Sequence, residues 1–199
     1  MSQEGNGWLL KLRGQWHAAV GLREMVHVLP YSPRLHMVPQ TPPHARHVIL
    51  WEGKVLPVVD LVAYLEAGAE AGLRTATNLL SLDHLVGVVA YQAAPGAEVS
   101  LAAMLLGKIP ERIWVTDEQA CALPESPSGW QQVAISCFEH PDCGAVPILD
   151  LPRLFSGRLL VPDPGHRWEG LEDGPAPMET ADQRVGALRQ HAALAASGI

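Results

Sequence analysis

The 199-residue chain lacks the features that mark several classes of protein. No run reaches the roughly 18 apolar residues of a membrane helix, and the first six residues have neither the basic start nor the apolar run of a secretory signal. Basic residues are few, 14 against 21 acidic, and they are scattered. Because nucleic-acid binding draws on clustered Lys and Arg, a net charge of −7 argues against such a partner. We therefore expect a cytoplasmic protein that neither inserts into a membrane nor binds nucleic acid.

Cysteine is also scarce, and the set Cys121, Cys137 and Cys143 is odd in number. Without an export signal, this set predicts reduced thiols rather than a disulfide framework. Cys137, His140 and Cys143 are spaced as zinc or transition-metal ligands are, with Cys121 as a fourth ligand. If Cys137 lies on a buried strand, however, its thiol behaves as a small hydrophobe. We favour structural thiols and expect neither metal nor cofactor; the alternative is a small thiol- or metal-dependent enzyme using Cys137, His140 and Cys143.

Signatures of catalysis and of nucleotide binding are missing as well. The chain has no G-x-S-x-G, no G-x-x-x-x-G-K-[ST] and no G-x-G-x-x-G between a strand and a helix. Four histidines lie close together in sequence, His27, His36, His44 and His47, but nothing local sets a nucleophile beside them. The favoured interpretation is solvated loop histidines, with one packed against the fold. The sequence therefore predicts no catalytic residue and no enzyme.

The chain does contain one pattern twice. Residues 55–61 read VLPVVDL, and residues 145–151, ninety positions later, read AVPILDL. The corresponding residues are Pro57 and Pro147, then Asp60 and Asp150. An aspartate between a β-branched run and an apolar helical turn is typical of an N-cap, whose carboxylate accepts a hydrogen bond from a first-turn N–H. Two carboxylates also suggest acid–base catalysis, but neither lies beside a nucleophile candidate, so capping is favoured.

Short apolar runs separated by glycine and proline predict β-hairpins along most of the chain. The predicted hairpins cover residues 9–20, 47–60, 85–105 and 133–149, with further short strands at 26–29 and 113–116. Many short strands and few long helices indicate small barrels rather than a βαβ sheet. We expect two subdomains, about 8–65 and 84–156, followed by a Pro/Gly-rich linker and helical tail over 161–199.

Three segments of the first half resemble the CheW-like domain of bacterial chemotaxis coupling proteins. They are residues 26–29, 38–42 and 47–61. That family typically has a valine-rich strand with an acidic residue, an Asn-Thr-Pro-like loop, an Asn-Leu-Arg-Gly turn and then Pro-Val-Ile-Asp-Leu. The matching residues here are Thr41, Pro42, Gly53, Pro57, Val58, Asp60 and Leu61. Residues 99–106, 109–124 and 145–155 look like the family's second subdomain, so the resemblance covers about residues 8–160.

The resemblance implies an all-β fold with short helices: two SH3-like five-stranded β-barrel subdomains, pseudo-duplicated around a shared core, plus a C-terminal helical tail. It also implies a noncatalytic adaptor that couples methyl-accepting chemoreceptor cytoplasmic domains to a CheA-like histidine kinase, in chemotaxis-like or type IV pilus motility signalling. The implied partner contacts lie on the outer edge of the first barrel, at Val26, Val28, His47, Trp51, Glu52 and Gly53.

Two departures from the family pattern fall in the turn. Leu50 stands where the family has asparagine, and Glu52 stands where it has arginine. Because a reversed charge repels an unchanged partner, Glu52 predicts altered partner choice. Trp51 lies between them at the top of the hairpin, where an aromatic side chain either packs on its own barrel or meets a partner; self-packing is slightly favoured.

Overall fold

The computed structural model describes residues 4–29, 34–67 and 84–155. In these ranges the chain forms eleven strands, three short α-helices and two 3-10 turns. The strands are β1 (Glu4–Lys11), β2 (His17–Gly21), β3 (Met25–Leu29), β4 (His36–Met37), β5 (His47–Trp51), β6 (Lys54–Val59), β7 (Leu85–Gln92), β8 (Val99–Leu106), β9 (Glu111–Thr116), β10 (Ala134–His140) and β11 (Gly144–Leu149). The helices are α1 (Leu61–Ala67), α2 (Trp130–Val133) and α3 (Leu151–Leu154), and the 3-10 turns are Pro43–Ala45 and Asp117–Gln119. The predicted all-β class with short helices is confirmed, whereas the predicted linker and tail helix at 161–199 lie outside the described residues.

The described strands form two sheets, and each sheet combines strands from distant parts of the sequence. Sheet A has five strands in the order β10-β11-β2-β1-β9, and sheet B has six in the order β3-β7-β8-β6-β5-β4. We define the first copy as residues 4–67, from β1 to α1, and the second copy as residues 84–155, from β7 to α3. Each copy places its first two strands in one sheet and its remaining strands in the other.

The two copies join through equivalent parallel strand pairs. In sheet B, Val58 on β6 is in register with Ala103 on β8, and in sheet A, Ile148 on β11 is in register with Ala19 on β2. Val58 and Ile148 are ninety positions apart, which is the spacing of the sequence repeat. The duplication therefore extends from the sequence to the way in which the sheets are assembled.

This strand exchange differs from the predicted division into sequential subdomains at 8–65 and 84–156. The sequence located the hairpins, and all four are present as antiparallel pairs. Side-chain periodicity shows which residues of a strand are buried, but it carries no information about which strands are neighbours. As a result, each sheet contains strands from both the first copy and the second copy.

Three groups of buried side chains fill the fold. One lies in sheet A and includes Leu9 and Phe138, one lies in sheet B and includes Ala103, and the third, shared between the sheets, includes Leu10 and Met104. Successive residues of a strand point to opposite faces, so Leu9 and Leu10 on β1, like Ala103 and Met104 on β8, serve different cores. The central strands are therefore buried on both faces, and the expected shared core is present.

The repeated aspartates cap the helices that follow β6 and β11. One carboxylate oxygen of Asp60 accepts a hydrogen bond from the Ala63 N–H at 3.1 Å, and one of Asp150 accepts from the Arg153 N–H at 3.0 Å. Each bond runs from residue i+3 to the cap, as in an N-cap. The predicted capping role of both residues is confirmed.

Candidate partner-binding surface

The predicted contact residues lie on two strands of sheet B, β3 and β5, and in one turn. Val26 is 46% exposed on β3, and Val28 on the same strand is partly buried. Glu52 and Gly53 are exposed in the β5–β6 turn, and Trp51 is partly buried beside them at the end of β5. Although β3 and β5 are not neighbours in sheet B, the rings of His27 and Trp51 have their centroids 6.4 Å apart. The structure thus brings the turn next to β3.

His47 does not join this group. It begins β5, where it pairs with Val58 on one side and with Met37 on the other. His47 and Trp51 are four positions apart on the strand, a distance of roughly 13 Å. The predicted contact residues therefore divide into the β3 and turn group, and His47 at the opposite end of β5.

The turn itself is a tight two-residue connection. Trp51 pairs with Lys54, and the two residues between them both have positive φ, +48° at Glu52 and +77° at Gly53. These values are those of a type I′ turn, whose twist matches that of the flanking strands. Glycine adopts a positive φ at no steric cost, whereas glutamate adopts one only rarely. The geometry places the Glu52 side chain in solvent at the tip of the hairpin.

Trp51 packs mainly on its own sheet. Its ring is partly buried against the sheet B core, which contains Ile49 and Leu56. The tilted contact with His27, at an interplanar angle of 34°, covers a further part of the ring. This arrangement agrees with the self-packing interpretation, so that Trp51 supports the shape of the turn.

The sequence reasoning missed the most exposed apolar residues of this hairpin. Leu50 on β5 is 67% exposed and Val55 on β6 is 68% exposed, and they are paired directly across the two strands. The partly buried pair of Val48 and Pro57 comes next on the same face. We call these four residues the apolar ridge. The signal was available, because a buried Ile49 with period-two alternation turns its neighbours outward.

The second copy shows that the fold does not require an apolar ridge. The pair equivalent to Leu50 and Val55 is Glu139 and Ala145 on β10 and β11. The pair equivalent to Val48 and Pro57 is Cys137 and Pro147, which is buried. An exposed apolar cluster that one copy has and the other lacks is typical of an interaction site rather than of a packing need.

The surroundings of the hairpin carry a different charge balance from that of the whole chain. Residues 34–65 contain three basic residues, Arg34, Arg46 and Lys54, and two acidic residues, Glu52 and Asp60. Asp60 is buried and paired with Arg13, so that Glu52 is the exposed carboxylate of these described residues. In a chain of net charge −7, residues 34–65 carry a small positive formal charge, and Glu52 is the acidic side chain at the tip of the hairpin.

His47 adds no positive charge to this region at neutral pH. Burial lowers the pKa of its imidazole below the usual 6.5, and the positive charge of Arg46 acts in the same direction. The carboxylate of Asp60 opposes the shift, and His84 adds to it. His44, by contrast, is buried with its ring edge-on to Tyr64 at 5.2 Å. It is the packed histidine that the sequence predicted.

The alternative site at Cys137, His140 and Cys143 does not come together. Cys137 is buried on the face of β10 that lies opposite Phe138, whereas His140 shares the face of Phe138, with ring centroids 6.5 Å apart. Burial, followed by the hydrogen bond with Cys121, raises the pKa of Cys137 to about 12, and burial also raises the pKa of Cys143. Metal ligation and nucleophilic attack both need the thiolate, which these shifts disfavour.

Within residues 4–29, 34–67 and 84–155, no three His, Cys, Asp or Glu side chains are grouped so as to hold a metal ion. None of the helices that the structure describes is long and apolar enough to cross a membrane.

Comparison with known proteins adds a family and a fold. Residues 6–159 match the family model of the CheW-like domain. Among solved structures, the scaffolding protein TtCheW from Thermoanaerobacter tengcongensis is similar, with a TM-score of 0.53 and 14% identity over 75% of this chain and 86% of that chain. At this identity the likeness concerns the fold. A search of curated proteins gave no match.

Proposed function

This chain belongs to the CheW-like domain family of noncatalytic adaptors, and we propose that it couples a methyl-accepting chemoreceptor to a CheA-like histidine kinase. The pathway is chemotaxis-like signalling or type IV pilus motility, and the protein works in the cytoplasm. The proposed adaptor domain spans about residues 8–160. No catalytic step is involved, because an adaptor acts by holding its partners in place.

The apolar ridge is the main observation that supports the β5–β6 hairpin as the partner-binding surface. Leu50 and Val55 are each about two-thirds exposed, although most large apolar side chains of the described fold are buried. Protein interfaces draw their affinity from a few apolar anchors that become fully covered on binding. The adjoining turn and β3, with Glu52, Gly53 and Val26, form the rim of the proposed contact area. His47 is at the far end of β5, and we propose that it lies outside the centre of this contact area.

The charges at the tip favour a particular kind of contact. Glu52 stands where the family pattern has arginine, so that a partner matched to this chain should present a basic group to it. Opposite charges across an interface mainly set specificity and the rate of association. Glu52 is therefore proposed to select the partner, and the ridge to hold it.

The experiment measures binding of purified wild-type and variant protein to a CheA-like kinase and to a chemoreceptor cytoplasmic fragment encoded in the same genome. The variant Leu50→Gln/Val55→Thr makes the ridge polar and keeps a β-branched residue on β6. We expect the dissociation constant for at least one partner to rise about tenfold or more. Val99→Thr, at another exposed valine on β8, is the matched control and should bind as wild type does.

The two parts of the proposal fail differently. If the wild-type protein binds both partners and the ridge variant binds them equally well, the ridge is not the contact surface. If the folded wild-type protein binds neither partner, the adaptor function is wrong. Circular dichroism of each variant separates loss of binding from loss of fold.

A further inference from the structure

Two of the three cysteines lie opposite each other at the β10 edge of sheet A. Cys121 follows the Asp117–Gln119 turn and runs beside β10. Ala120 forms an antiparallel bridge with Phe138, and the Cys121 N–H donates a hydrogen bond to the carbonyl oxygen of Cys137 at 3.0 Å. The backbone therefore holds these two cysteines opposite each other.

The side chains meet as well. The thiols of Cys121 and Cys137 are hydrogen-bonded to each other. Residues directly opposite in an antiparallel pair have Cα atoms about 4.5–5.5 Å apart, which lies within the range that a disulfide spans. Cys143 lies in the β10–β11 turn, and neither thiol is paired with it. Of the three disulfides that three cysteines could form, the geometry therefore favours the one between Cys121 and Cys137.

We propose that Cys121 and Cys137 are an oxidation site, at which a peroxide converts the two neighbouring thiols into one intramolecular disulfide. The Cys121 thiolate attacks one peroxide oxygen, the O–O bond breaks, and the departing hydroxide takes up a proton to leave as water. The Cys137 thiol then attacks the sulfenic sulfur of Cys121 and passes its proton to the departing oxygen in the same step, so that no free Cys137 thiolate has to form. The S–S bond forms, the S–O bond breaks, and the hydroxide leaves with the Cys137 proton as a second water. Two thiols are oxidised, and one peroxide is reduced to two waters.

The order of the steps follows from exposure. Cys121 is partly exposed and Cys137 is buried, so that a dissolved peroxide reaches Cys121 first. Burial raises the pKa of Cys137 to about 12, so its thiol stays protonated and does not start the reaction. Once Cys121 is oxidised, the fixed contact gives Cys137 a high effective concentration, which a free thiol in solution lacks.

The disulfide closes a chain segment that belongs to the shared core. Between Cys121 and Cys137 lies α2, whose Trp130 and Val133 are buried in that core. A cross-link across a loop of this size restricts the unfolded chain, so that oxidation should raise the melting temperature by about 5 to 10 °C. Oxidation would then tie the start of this segment covalently to β10.

The test uses the full chain, treated with hydrogen peroxide and digested under non-reducing conditions with a protease that cleaves after glutamate. Cleavage after Glu118, Glu125 and Glu139 places the three cysteines in three separate peptides. We expect a cross-linked pair of the peptides that carry Cys121 and Cys137, lighter by two hydrogen atoms, and a melting temperature that returns to its starting value after dithiothreitol. Cys143→Ser should keep the cross-link, and Cys121→Ser should abolish it.

Other products would overturn the proposal. These are a cross-link that includes Cys143, disulfides between molecules alone, or Cys121 oxidised to the sulfinic acid with Cys137 still free. Full retention of all three thiols under peroxide that oxidises a free cysteine peptide would overturn it as well. Each of these outcomes is read from the same digest, so the result does not depend on whether a cysteine variant folds.

Discussion

A terminal guanidinium nitrogen of Arg13 lies 2.5 Å from a carboxylate oxygen of Asp60. Arg13 belongs to the turn between β1 and β2 in sheet A, and Asp60 ends β6 in sheet B, so this ion pair joins the two sheets. The Asp60 side chain is 3% exposed and that of Arg13 is 23% exposed. The repeated aspartate of the second copy, Asp150, has instead a local ion pair at 3.5 Å with Arg153, three residues later in the chain.

Arg13→Ala should destabilise the protein by about 3 kcal/mol, because it leaves the buried Asp60 carboxylate without its positive partner. Arg153→Ala is the matched control, and because its ion pair is exposed to solvent it should cost less than about 1 kcal/mol. Urea unfolding of both variants measures the difference. Equal losses in the two variants would mean that the Arg13 pair does not stabilise the contact between the sheets.

Glu52→Asn should stabilise the β5–β6 turn by about 0.5 to 1 kcal/mol, because asparagine tolerates positive φ better than glutamate does and Asn-Gly is the preferred type I′ sequence. Gly53→Ala should destabilise it by about 1 kcal/mol, since alanine resists the φ of +77°. A Cβ at Gly53 would meet nothing within 4 Å, so this loss would be conformational and not steric. Thermal unfolding gives both values, and a stabilising Gly53→Ala would contradict the assigned turn.

Gly107→Ala should cost about 2 kcal/mol or more, because a Cβ there would lie 2.6 Å from the carbonyl oxygen of Leu12. Gly107 follows β8, and its N–H donates to the Lys11 oxygen at 2.8 Å where the end of β8 passes the end of β1. Gly5→Ala on β1 is the control: its nearest neighbour would be 3.8 Å away, so the change should stay within about 0.5 kcal/mol. Denaturant midpoints that do not separate the two variants would argue against this close approach.

Stability should fall as the pH is lowered from about 7 to about 5, and His47 should contribute to the fall. Burial lowers the pKa of His47 in the folded protein, so below about 6.5 the unfolded chain binds its proton more readily than the folded chain does. Well above the pKa of His47 in the unfolded chain, this loss of stability is absent. As the pH falls, the loss grows until the pH is below the pKa of His47 in the folded protein. His47→Gln should flatten the dependence in urea titrations over this range, and a variant as steep as wild type would contradict the assignment.

The parts of the fold that are encoded locally were predictable. The proline and aspartate of each repeat give both strand-to-helix junctions, and the glycine-bearing turns give all four hairpins with ends within a few residues. The family resemblance gave the shared core. These features depend on residues close together in sequence, whose conformational preferences act before any distant contact forms.

The parts that depend on distant contacts were not predictable. Nothing near Arg13 indicates that it meets Asp60, 47 residues away, or that β2 lies beside β11. Leu50 was recognised as a departure from the family pattern but not as an exposed anchor, because its role depends on Val55 lying directly across the hairpin. The sequence therefore predicted the rim of the candidate surface, which is the turn and β3, but not its centre, which is the apolar ridge.

The exchange of strands between the copies has a consequence for how such a protein can have arisen. A chain with a single copy would contain two strands of one sheet and the remaining strands of another. The strands that here pair with the other copy would then have no neighbour. Two identical chains related by a twofold axis would supply each other's missing strands, in the same pairings that β6–β8 and β11–β2 show here. Fusion of two such chains would turn the twofold axis between them into an internal one, and each half could then change its sequence separately.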